Sequence, residues 1–167
     1  MSAAVTIDFA AWRSEFRRAL DEGGATDVPC EGCTACCRSG QFVLIERDEA
    51  AALGRIPPRL LVPAPGREDG AMVMGYDERG RCPMLGDVGC SIYTERPRTC
   101  RTYDCRVFAA AGIVPEQAPV AEAVARWGFT DPPERTAVRE KAAAAVAAGE
   151  DPRRAALRAV LEGDERA

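Results

Sequence analysis

Apolar residues Val5, Phe9, Trp12, Phe16, Ala19 and Leu20 recur at helical spacing, with Asp8 placed to cap the run and Gly23-Gly24 to stop it. The pattern predicts an amphipathic helix over residues 8–22 whose aromatic stripe is a packing face. Phe42-Val43-Leu44-Ile45 is a short apolar run with β-branched members and reads as a buried strand. Residues 47–53 read as a short helix closed by Gly54. The stretch IPPRLLVPAPGREDG is rich in Pro and Gly, which predicts an ordered loop without regular structure. Residues 72–76 and 81–85 have the pattern of a hairpin across Asp77-Glu78-Arg79-Gly80.

Three further helices are predicted over residues 115–127, 133–148 and 152–161. Each carries a proline in its first turn, where the missing N–H is not needed. Asp131 and Asp151 stand as caps for the last two. That last pair is alanine-rich with a thin apolar face, the pattern of a mobile or partner-dependent tail. No internal repeat is evident.

Composition changes this picture in two places. The chain of 167 residues is long enough to bury a hydrophobic core, so it does not need disulfides to fold. Its formal charge of -4 argues against a broad nucleic-acid surface, and of 22 basic residues only Lys141 is a lysine. The first residues lack the basic and apolar regions of a signal peptide, and no apolar run approaches the ~18 residues that span a bilayer. The expectation is a cytoplasmic protein with no membrane and no nucleic-acid partner, in which thiols stay reduced.

The chemistry lies in eight cysteines and the absence of any histidine. Without imidazole there is no Ser-His-Asp or Cys-His pair and no imidazole metal site. Asp48-Glu49 and Asp77-Glu78 are carboxylate pairs of the kind found at solvated surfaces and turns. The thiols at Cys30, Cys33, Cys36, Cys37, Cys82, Cys90, Cys100 and Cys105 are candidate metal ligands. A zinc ribbon would show a second Cys-x2-Cys, which is missing. Cys30-x2-Cys33-x2-Cys36 with a remote Cys82-Pro83 instead has the order of a bacterial ferredoxin, which favours an iron–sulfur cluster over zinc. Cys37 fits neither easily, because adjacent cysteines in an extended chain point oppositely. It is the candidate for a spare thiol, reactive if a cation activates it. In and just after GCSIYTERPRTCRTYDC, Arg96, Arg98, Arg101 and Arg106 flank three of the cysteines, where guanidinium groups would offset thiolate charge and depress thiol pKa values. Tyr93, Arg96, Arg101 and Tyr103 are candidates to support the ligands from behind.

CEGCTACC, then CPML, then GCSIYTERPRTCR and a last cysteine resemble the CxxCxxCC family of zinc- or iron-chelating proteins, the YkgJ-like cysteine-cluster proteins. The resemblance implies metal-ligand candidacy for all eight cysteines. It carries motif membership, without a role, to Pro83, Gly89, Tyr93, Arg96 and Pro97. One branch of that family includes flagellin lysine methylases, which implies a protein or peptide substrate as an alternative. No glycine-rich nucleotide turn and no Cys-x3-Cys-x2-Cys of radical enzymes is present here. Three functions follow as expectations: a metal-binding module, a metal-dependent enzyme acting on a peptide or protein, or a metal donor. The expected fold is α+β, a small irregular metal-bound cysteine core with short strands and helices at both ends. The core with its leading helix occupies residues 1–110, and a helical appendix occupies 111–167.

Overall fold

A computed structural model describes residues 5–28, 30 and 32–162. In chain order the elements are β1 (Val5–Ile7), α1 (Phe9–Asp21), β2 (Val43–Ile45), α2 (Ala50–Arg55), β3 (Leu61–Pro63), β4 (Met72–Met74), β5 (Leu85–Gly86) and β6 (Gly89–Cys90). There follow α3 (Arg98–Arg101), α4 (Arg106–Ala111), α5 (Ala118–Val124), β7 (Trp127–Phe129), α6 (Pro133–Ala147) and α7 (Pro152–Leu161). The fold is α+β. No helix among the described residues is long and apolar enough to cross a membrane.

The chain folds as two units. One contains residues up to Asp21 together with those from Asp104 onward; the other runs from Glu22 to Tyr103. A division at residue 110 follows the chemistry of the sequence, whereas these units follow packing. The aromatic stripe of α1 is what assigns that helix. Phe9, Trp12 and Phe16 are buried in one cluster with Val107, Phe108, Phe129 and Val160, so α1 packs with the C-terminal helices.

In this helical unit Asp8 caps α1 as its position suggests, accepting from the Ala11 N–H at 2.8 Å. β1 and β7 pair in parallel, Val5 opposite Trp127 and Ile7 opposite Phe129. The segment expected to stay helical from 115 to 127 is therefore α5 followed by a strand. Trp12 meets Phe129 edge-on at 4.9 Å between centroids and stacks on Phe16 at 5.5 Å. Its indole N–H donates to the Asp104 carboxylate at 3.0 Å, and the same carboxylate takes three hydrogen bonds from the Arg106 guanidinium and one from its backbone N–H. The last helix pair is no partnerless tail. Ala142, Ala156, Ala159 and Val160 are buried, and their small side chains let α6, α7 and α4 approach closely enough to share the core. Asp151 caps α7 through the Arg154 N–H at 2.9 Å. Asp131 does not cap α6; it pairs with Arg135 at 3.1 Å, and Pro132 occupies the cap position.

The cysteine unit is built around a three-stranded antiparallel sheet in the order β2-β4-β3. Three sequence expectations are corrected here. The Pro-rich stretch contains β3, an edge strand whose Pro63 stands opposite Met72; an edge position tolerates a residue with no N–H. The turn at Asp77–Gly80 forms, with Asp77 accepting from Arg79 and Arg81, yet no hairpin strand follows. β4 pairs with β2 and β3 instead, and Leu85 pairs with Cys90 in a separate short ribbon. Finally α2 begins at Ala50 and runs through Gly54, because the Glu49 side chain turns back onto the Glu46 N–H and occupies the residues before it.

Candidate metal centre

Val43, Ile45, Met74, Ile56 and Ile92 form the apolar core of the cysteine unit, and Cys82, Cys90 and Cys100 pack against it. Above that core lies a cavity of about 330 Å³. Seven thiols line it: Cys30, Cys33, Cys36, Cys37, Cys82, Cys90 and Cys100. Cys105 is not among the lining residues. It belongs to the helical unit, where it precedes α4 and packs against that core.

Each thiol reaches the cavity on a short device. The Cys33 N–H donates to the Cys30 carbonyl at 2.9 Å, a turn that Gly32 permits by taking φ +71°. Cys36 and Cys37 begin a single 3₁₀ turn. The Cys82 N–H donates to the Cys37 carbonyl at 2.7 Å, which joins the remote cysteine of the ferredoxin-like order to the first run. Cys90 ends the β5–β6 ribbon. Cys100 sits in α3, and the start of that helix is held by Glu49, whose carboxylate accepts the Arg98 N–H at 2.5 Å. The pair Asp48-Glu49 is thus split. Asp48 is a surface partner of Arg98, but the Glu49 side chain is only 5% exposed and positions a cysteine helix. The Thr99 hydroxyl fastens that helix to β2 through the Leu44 carbonyl at 2.7 Å.

The thiols interact strongly. Cys37 is pushed well above the usual thiol range, first by its hydrogen bond with Cys36, then by burial and by the thiols of Cys36, Cys82 and Cys90. Burial raises Cys82, opposed by the Met84 backbone N–H. Burial and the thiols of Cys36, Cys82 and Cys90 push Cys100 up to about 12, against a partial pull downward from Arg96. At Cys100, then, burial and the neighbouring thiols outweigh the Arg96 guanidinium. Around Cys37 the groups that raise it are the neighbouring thiols of Cys36, Cys82 and Cys90. Of the supporting candidates, Tyr93 and Arg96 line the cavity, and Arg101 and Tyr103 do not. Sequence reading passed over the apolar wall, which includes Met74, Met84, Ile92 and Val88. Met84 and Ile92 lie within two residues of Cys82 and Cys90, and that adjacency was the available signal.

Among the described residues no three Cys, Asp or Glu side chains converge as a ready-made ligand group; the thiols surround the space without closing on one point. The donor set still fits a particular class of guest. Among the described residues of the wall the cysteine thiols are the dominant donor type and no carboxylate is present, which suits zinc and iron–sulfur clusters and disfavours magnesium and calcium, both of which require several oxygens.

A family model described as "CxxCxxCC: Putative zinc- or iron-chelating domain" matches residues 29–119, more than half the chain and every one of the eight cysteines. The chain belongs to the CxxCxxCC family. That membership supports a metal guest, zinc or iron, for the domain. No curated protein and no solved structure matches the chain.

Proposed function

We propose that this CxxCxxCC protein is a metal-binding protein whose centre is held by the cavity thiols of the cysteine unit, with an iron–sulfur cluster favoured over zinc. The supporting observation is seven cysteine thiols around one cavity of about 330 Å³. The preference for a cluster comes from the order Cys30, Cys33, Cys36 with remote Cys82 before Pro83, and from the backbone bond that brings Cys82 to Cys37. These four would hold the cluster, leaving Cys37, Cys90 and Cys100 within the same wall. When bound, a cluster supplies one-electron chemistry, whereas zinc supplies a tetrahedral closure.

The chain's own residues do the rest. Burial and mutual repulsion keep several thiols protonated, so loading releases protons and draws side chains together that now only line the cavity. Ligand thiols of this kind must stay reduced, which suits the cytoplasm. The test is protein purified without oxygen, assayed for metal and acid-labile sulfide per chain with its visible spectrum. Iron with sulfide and a broad band near ~400 nm supports the cluster. Colourless zinc assigns four-thiolate sites instead. Protein that takes up neither metal after reconstitution refutes the reading.

A further inference from the structure

Arg96 is the only charged residue among the described residues of the cavity wall. Most arginines close to it in the cysteine unit meet carboxylates: Arg98 pairs with Asp48, Arg101 with Glu49 and Arg55 with Glu95. Arg96 meets none among the described residues. It is nevertheless held firmly. Its guanidinium carbon lies 4.0 Å from the centroid of the Tyr93 ring, and one of its N–H groups donates to the Tyr93 carbonyl at 2.7 Å. Its own carbonyl accepts from Arg101 at 2.9 Å, and Arg101 is anchored by the buried Glu49. Pro97, next in sequence, is fully buried. A cation fixed at the wall of a thiol cavity, and meeting no carboxylate among the described residues, suits an anion that arrives later.

We propose that this anion is the metal–thiolate centre itself, that Arg96 is its counter-cation, and that Tyr93 positions Arg96 for that task. The inference rests on the metal-binding reading. A divalent ion held by four thiolates carries a net charge of about -2, and a partly apolar cavity solvates such charge poorly. A guanidinium, always protonated, offsets part of it at every pH the protein meets.

The experiment is a Zn²⁺ titration of the full chain against a chromogenic competitor, repeated from pH 6 to 8, with R96Q, R96K and Y93L beside the parent. R96Q should lose about 10- to 100-fold in affinity, the usual effect of removing an outer partner of a metal site. Its pH midpoint for loading should move upward, since thiols lose their protons less readily without the cation. R96K should recover most of both, and Y93L, which keeps the charge but frees it, should fall between. R96Q within about threefold of the parent, with an unmoved midpoint, overturns the proposal. Equal losses in R96K and R96Q overturn it too, because shape rather than charge would then be what matters. If R96Q fails to fold, the comparison of R96K and Y93L with the parent still decides. A parent that binds no zinc and no iron sinks the metal-binding reading instead, and the parent curve separates that case.

Discussion

Replacing Asp104 by alanine removes the one carboxylate on which Trp12 and Arg106 converge in the helical unit. The Asp104 side chain is fully buried and that of Arg106 is 7% exposed, so solvent cannot replace the lost partner. Breaking a buried pair by deleting one member costs about 3–5 kcal/mol, because a buried charge loses a counter-charge that water does not replace. The indole N–H, bonded at 3.0 Å, loses its acceptor as well, and an unsatisfied buried donor costs about 1–3 kcal/mol. These contributions share one carboxylate and do not add. The expected loss is therefore about 3–5 kcal/mol, a large part of the ~5–15 kcal/mol that stabilises an ordinary domain. Both tryptophans, Trp12 and Trp127, belong to the helical unit, so urea unfolding followed by tryptophan fluorescence reads that unit selectively. The midpoint should fall while the slope stays constant. The double variant D104L/R106M, which removes both charges and leaves apolar volume, should recover most of the loss. A loss below about 1 kcal/mol in D104A, or a double variant no better than the single one, would refute the reasoning.

Four further outcomes are expected. Cys100, raised to about 12 in the folded protein, favours the metal-free fold fully below its ordinary pKa of 9.0, and that contribution is lost as pH rises from there towards 12. Calorimetry of chelated protein should show stability declining by up to ~1.4 kcal/mol per pH unit in that window, and C100A should flatten the decline. Glu49→Ala should destabilise the cysteine unit by about 1–3 kcal/mol through the orphaned start of α3, and zinc uptake should weaken with it because Cys100 rides on that helix. Serine at Cys30, Cys33, Cys36 or Cys82 should lower metal per chain, whereas Cys105→Ser should leave it unchanged; a lost equivalent in C105S would bring a further thiol into the site. Ile45→Ala, at a fully buried position, should cost about 2–5 kcal/mol in the calorimetric unfolding of the cysteine unit.

What could be read in advance divides along a physical line. Local codes were legible. The period of Phe9, Trp12 and Phe16 with Asp8 in front gave α1, and Asp151-Pro152 gave the start of α7. The cysteine spacing located the thiols that share the cavity, because ligand spacing is itself a local code. Non-local pairing was not legible. Nothing in Val5-Thr6-Ile7 names Trp127 to Phe129 as a partner, since three residues carry too little pattern to specify a strand more than a hundred positions away. An apolar stripe likewise shows that a helix face is buried without saying against what, and so the unit to which α1 belongs stayed hidden. β3 was masked by prolines that an edge strand can hold. Among four arginines in one short stretch, the sequence could not show that Arg96 alone lines the cavity.

The Thr26 N–H donates to the Arg101 carbonyl at 2.9 Å, close to the points where the chain enters and leaves the cysteine unit. That unit is therefore an insertion with adjoining ends, spliced into a helical unit assembled from both sides of it. For the helical unit, everything between those ends counts as a single loop, and even halving or doubling such a loop changes its closure by only about 0.6 kcal/mol. The cysteine unit is thus free to lengthen, shorten or rebuild its thiol-bearing segments with little consequence for the helices on either side of it in the sequence.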